Sequence, residues 1–263
     1  MLMSSRSRRA NLTARRDGLR PACAVFLCLI TAIAFAQAPT PAGVAAQAQA
    51  AFFAASAADI KKLSAGTEAW TKSSNPQELY ARAYVQFRAL QLAMVANNTD
   101  AAKTAGDSCV ASLDTAIAKG FRTAEPYALQ SACYGYMAGL GGFASIRNGS
   151  RSGKSIQAAL ALDARNPRVL LVDGFGLYYR PKFVGGDKLK GCEHIRAAAA
   201  AFDAQAPATA AQAGIANWGA PEAALWAGRC LLDSGDAAAA RKAFEHAVAL
   251  APDFAAAKRR LAR

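Results

Sequence analysis

Histidine is nearly absent from this 263-residue chain, which has two, and acids are scarce, 18 against 31 lysines and arginines. His194 and His246 stand in no H-E-x-x-H motif, and no cysteines form a C-x-x-C pair, which argues against a zinc site and leaves no metal expected. Cys192-Glu193-His194 places its two potential ligands on different faces of a helix. There is no nucleophile elbow and no loop with paired carboxylates, so the sequence assembles neither a nucleophilic triad nor an acid–base pair. No enzyme activity and no cofactor are expected. No useful stretch alternates apolar and polar residues, which leaves helix as the only regular structure. No basic stripe is interleaved with aromatics, so nucleic acid is a poor partner.

What is present begins with a basic head. Residues 1–20 contain Arg6, Arg8, Arg9, Arg15, Arg16 and Arg20 against one acid, Asp17. An apolar run from Ala22 to Phe35 comes next, shorter than the roughly 20 residues of a membrane span, and ends in the small-x-small pattern Ala34-Phe35-Ala36. That layout reads as a secretory signal peptide, residues 1–36, with cleavage expected after Ala36 and a periplasmic destination, in preference to an uncleaved amphipathic leader or a signal anchor. Ser7-Arg8-Arg9-Ala10-Asn11-Leu12 loosely resembles a twin-arginine signal, and general and twin-arginine export both stay open. Membrane contact is expected only through this segment during export. Removing it takes away six arginines and one aspartate, so the remaining 227 residues carry +8 rather than +13. Charge then peaks only in Lys258-Arg259-Arg260-Leu261-Ala262-Arg263. Either an anionic partner or the favourable placement of cations at a helix C-terminus accounts for it.

Residues 37–75 read as a spacer with introductory helices over Gly43–Ser73. Beyond them the chain divides into helix pairs: Pro76–Val95 with Asp100–Lys119, then Ala124–Leu140 with Ser152–Asp163 across a glycine-rich loop from Gly141 to Arg151. The next pairs are Pro167–Tyr179 with Asp187–Phe202 and one within Pro221–Pro252, and Phe254–Arg263 forms a last polar helix. Ala204–Ala220 reads as a linker. Gly149-Ser150-Arg151-Ser152-Gly153-Lys154-Ser155 superficially suggests a phosphate loop, but three residues, not four, separate its glycines and no strand precedes it. Its expected role is a loop that caps a helix through Ser152 or Ser155. Cys109, Cys133, Cys192 and Cys230 are either buried thiols or two disulfides, in one of three connectivities.

Gly228, Leu231, Gly235, Ala240, Phe244, Ala247 and Pro252 carry a resemblance to the tetratricopeptide repeat. Ala224 and Ala227 depart from it where the family has larger residues. Leu162 to Pro167, Gly174 and Gly186 match more weakly, with an insertion over Arg180–Gly185. The resemblance implies an all-α fold, a right-handed superhelix of about four hairpins over residues 76–263, clearest at 221–252, closed by a C-terminal capping helix. Neighbouring packing in such a stack favours Cys109–Cys133 and Cys192–Cys230. The first helix of each hairpin would line a concave groove carrying Tyr136, Arg168, Phe175, Tyr178, Tyr179 and Arg229, side chains suited to binding. The same aromatics would equally serve as packing between helices. The expected function is a non-catalytic scaffold for an unidentified protein or peptide. A likeness around Val172–Gly191 to soluble accessory proteins of solute transporters gives a small-solute receptor as the alternative.

Overall fold

The computed structural model describes residues 39–205 and 218–263. The signal-peptide reading of residues 1–36 lies outside the described residues, as does most of the Ala204–Ala220 linker. Eleven α-helices and no strand are found among the described residues. They are α1 (Pro41–Phe53), α2 (Ala57–Gly66), α3 (Pro76–Val95), α4 (Thr99–Ala118), α5 (Ala124–Ala138), α6 (Ala144–Asp163), α7 (Pro167–Tyr179), α8 (Lys188–Asp203), α9 (Ala220–Asp233), α10 (Ala237–Leu250) and α11 (Ala255–Leu261).

Local chemistry sets the boundaries. Asn75, Asn166 and Asp236 accept hydrogen bonds from backbone N–H groups of the next turn, which would otherwise be orphaned. Pro76 and Pro167 occupy the first turn, where a missing N–H costs nothing. At Gly235 the chain leaves α9 with φ 88°, a left-handed conformation that glycine reaches without strain.

The helices pack as α3 on α4, α5 on α6, α7 on α8 and α9 on α10, with α11 against α10. Two seams have no space for a larger residue. A Cβ on Gly228 would lie 2.5 Å from the Phe244 ring and 3.0 Å from the Ala240 carbonyl oxygen. One on Gly174 would lie 2.8 Å from Ile195 and 2.9 Å from the Gly191 carbonyl oxygen. The four pairs stand in one orientation. At the starts of the first helices, the Tyr80 ring meets Phe121 at 5.4 Å, and Arg168 on α7 pairs with Glu125 on α5 at 2.9 Å. At their ends, Gln91 on α3 donates to Tyr136 on α5 at 2.9 Å, and Tyr178 on α7 donates to Asp233 on α9 at 2.7 Å. The turns within the pairs therefore line one edge of the molecule.

The segment 144–151, expected as part of a loop, is instead the beginning of α6. Gly141 and Gly142, at φ 86° and 75°, make the whole turn. Gly149 and Gly153 lower the helix propensity of this segment, but contacts with α5 outweigh that. Ser131 Oγ donates to the Ser152 carbonyl and Ser152 Oγ to the Ser131 carbonyl, each at 2.9 Å, while Ser155 Oγ donates to Gln130 Oε1 at 2.7 Å. Ser152 and Ser155 thus bridge two helices rather than cap one. The backbone amides of the 149–155 segment are inside a helix and do not curl around a phosphate.

Candidate ligand-binding face

The space enclosed by the first helices is largely filled. Trp218 is buried; its Nε1–H donates to the Tyr80 hydroxyl at 2.9 Å, and its ring lies 6.0 Å from Tyr84 and 6.4 Å from Phe87. The Arg168 guanidinium lies 5.7 Å from the same indole and pairs with Glu125. Arg168 is therefore a buried member of the core rather than a side chain on an open groove. Nearby, α1 packs on α3, and Phe53 stacks on Phe254 with ring centres 4.4 Å apart. Arg88 joins three elements: its guanidinium sits 4.2 Å over Phe52 of α1, bonds the Tyr84 hydroxyl, and pairs with Glu222 of α9. Burial opposes the Arg88 charge, but Tyr84 and Glu222 more than offset it and hold its pKa above the ordinary value.

The other expected site residues fall outside this filled centre. Tyr136 is half-buried at the end of α5, accepting from Gln91 and meeting the Phe87 ring at 5.6 Å. Burial raises its pKa. Phe175, Tyr178 and Tyr179 project from α7 onto Trp226 of α9, with ring centres 5.3, 5.8 and 5.5 Å from the indole, all edge to face. Such pairs contribute about 0.5–1.5 kcal/mol each beyond their buried area. Arg229, one turn after Trp226, lays its guanidinium 5.1 Å from the indole centre. Tyr179 is 60 % exposed, and its partial burial pushes its pKa up to about 12.

Beside this ring cluster α9 and α11 form a cleft of about 230 Å³. Its wall is Leu225, Trp226 and Ala256, and its cations are Arg229, Arg259, Arg260 and Arg263. None of the four arginines forms an ion pair with a carboxylate among the described residues. Burial opposes the Arg229 charge, but Tyr178, Tyr179 and Asp233 more than offset it and hold its pKa above the ordinary value. One wall of the neighbourhood is held in place by a network: Tyr178 donates to Asp233, and Lys188 Nζ contacts the same carboxylate at 2.9 Å. The Tyr178 hydrogen bond, and after it Lys188, lowers the Asp233 pKa.

Disulfides join Cys109 to Cys133, between α4 and α5, and Cys192 to Cys230, between α8 and α9. A second cleft of about 330 Å³ opens between α6, α7 and α8; in it His194 Nδ1 lies 2.7 Å from Asp173 Oδ2. His246 pairs with Asp203 at 2.9 Å, so the two histidines are apart in different pairs of helices. Among the described residues no group of three or more histidines, cysteines and acids is placed to hold a metal ion. No described helix is long and apolar enough to cross a membrane.

Sequence reasoning did not reach Trp226 as the hub of the aromatic cluster, although its spacing of three from Arg229 puts both on one helix face. It noted the basic run 258–263 without the cleft that the run completes.

No protein-family model matches the chain, and no curated protein matches it. Among solved structures it is similar to the HusA haemophore from Porphyromonas gingivalis, with 21% sequence identity and a TM-score of 0.61. The likeness covers 75% of this chain and 96% of that one. At that level of identity it concerns the fold.

Proposed function

We propose that this chain is a non-catalytic binding protein that takes an anionic ligand with a flat apolar face in the cleft between α9 and α11. The observation that carries the reading is the Trp226-centred ring cluster beside four arginines, none in a close ion pair with a side-chain carboxylate among the described residues. Aromatic faces and edges accept a planar apolar body, and guanidinium forks accept carboxylates in two-point contacts. Haem has both parts, a flat macrocycle and two carboxylates, and the similarity to a haemophore makes a tetrapyrrole the leading candidate. The two disulfides support work in an oxidising compartment, which with the basic, apolar start of the chain is the periplasm.

The test compares haem with a porphyrin whose carboxylates are blocked as methyl esters. The free acid should raise the melting temperature of the protein and the ester should not, because a ligand that binds the folded state alone stabilises it. Equal stabilisation by both, or none by either, contradicts the reading.

A second reading is favoured by the repeated helix pairs with their glycine seams at Gly174 and Gly228. In it the row is a right-handed tetratricopeptide-like superhelix and the same aromatic and arginine face holds an acidic peptide segment. Capture of a defined partner that is lost with Tyr179→Ala and Arg229→Ala, in a protein indifferent to haem, would select this reading.

A further inference from the structure

The large apolar side chains left in solvent are not scattered. Val95 ends α3, Phe143 precedes α6 and Ile146 lies in its first turn, Phe183 and Val184 lie between α7 and α8, and Leu189 lies in the first turn of α8. All are at the turns that line one edge of the row. Phe143 is 99 % exposed and Phe183 is 89 % exposed, so neither contributes packing to the fold. At the opposite ends of the pairs the exposed large apolar residues are Leu162 and Leu250, and Asp163, Asp203 and Asp253 stand there.

Cations flank both exposed tips, while Asp100, Asp187, Asp233 and Asp236 stand elsewhere along the same edge. Arg147 and Arg151 lie within two turns after Phe143, with no acid between residues 138 and 154. Around Phe183 stand Arg180, Lys182 and Lys190, while Lys188 is paired with Asp233; the nearer carboxylate, Asp187, is occupied in capping α8 through the Lys190 N–H. The backbone holds Phe183 outward. Lys182–Val184 form a single 3-10 turn, Gly185 comes next at φ 87°, and a Cβ on Gly186 would collide with the Arg180 carbonyl. The turn is therefore folded tightly against its own base, and its tip remains apolar.

We infer that this edge docks on a lipid surface bearing anionic headgroups, with Phe143 and Phe183 entering the headgroup layer and the flanking lysines and arginines lying over the phosphates. Exposed apolar tips encircled by cations suit that surface, where apolar burial and attraction to anionic lipid add together. The inference does not depend on the ligand proposed for the α9–α11 cleft, which involves other side chains.

The experiment is co-sedimentation of the full chain with vesicles of phosphatidylcholine containing phosphatidylglycerol, in parallel with Phe143→Ser/Phe183→Ser and Lys182→Glu/Lys190→Glu. Residues 1–36 are the same in all three proteins, so differences report the turns alone. Each double substitution should weaken binding about tenfold or more, with unchanged far-ultraviolet circular dichroism. Binding of the wild type should also fall as salt is raised. Binding by either variant at the wild-type level, or no binding by any of the proteins, overturns the inference. A self-associated species by light scattering that the phenylalanine substitutions dissociate, with vesicle binding unchanged, assigns the edge to a second copy and overturns it as well.

Discussion

Removing the Glu222 carboxylate should loosen the junction between the two ends of the row. Arg88 is fully buried, and Glu222 is its one carboxylate partner among the described residues; the other polar contacts of the guanidinium are Tyr84 and Gln91. Glu222→Ala leaves that cation buried and uncompensated, a change that costs about 3–5 kcal/mol. For a domain of this size each kcal/mol shifts the melting temperature by about 2–4 °C, so a drop of roughly 6–20 °C is expected. Arg88→Met strands Glu222 in the same way. Its Oε2 already lacks a hydrogen-bond partner among the described residues, so Glu222 has little else to satisfy it. The double variant should lose much less than the sum, with a coupling of about 2–3 kcal/mol. Urea unfolding monitored by circular dichroism at 222 nm, with the disulfides kept oxidised, gives all four corners of the cycle. A loss below about 1 kcal/mol for Glu222→Ala, or strict additivity, would refute the role of the pair.

Glycine substitutions should separate in sign. Gly149→Ala, in the interior of α6 with nothing within 4 Å of the added carbon, should stabilise by about 0.5–1 kcal/mol, and a loss would contradict the helical assignment of 144–151. Gly228→Ala should destabilise by about 1–3 kcal/mol against Phe244 and the Ala240 carbonyl, read from the same urea curves. The disulfides span 24 and 38 residues in sequence, and loop-closure entropy gives about 3–4 kcal/mol for each. Reduction should therefore lower the melting temperature clearly, and non-reducing peptide mapping checks the two pairings. The lowered pKa of Asp233 means its contribution is present above the ordinary carboxylate range and is lost as pH falls through its depressed folded value. Asp233→Asn should remove that part of the acid limb; superimposable limbs for the two proteins would show the Tyr178–Lys188 network to be without effect.

The helical class and most boundaries were legible because the chain punctuates itself. Asn75-Pro76 and Asn166-Pro167 each combine a capping side chain with a proline suited to the first turn. The start of α6 was not legible, since Gly141, Gly142, Gly149 and Gly153 look alike in sequence. Only contacts across to α5 decide which of them turn the chain. Among the candidate site residues, Phe175, Tyr178 and Tyr179 share a face of α7 through local helical spacing, while Arg229 joins them only through the packing of α9 on α7. Arg168 could not be placed that way. Its surroundings are Glu125, 43 residues earlier, and Trp218, which lies beyond a long Ala-rich stretch, and no local pattern announces either. The same limit hid the α9–α11 cleft, whose arginines come from α9 and from the run 259–263, separated by all of α10.

The most direct measurement is a titration of haem into the oxidised protein, read at the Soret band, for the wild type, Trp226→Ala and Arg229→Gln/Arg260→Gln. Saturable binding by the wild type is expected, weakened about tenfold or more in each variant, since an aromatic contact and a charged hydrogen bond are each worth about that much. Saturable binding that both variants retain at full strength, or the absence of a shifted Soret band in the wild type, would contradict the assignment of this cleft to a flat anionic ligand.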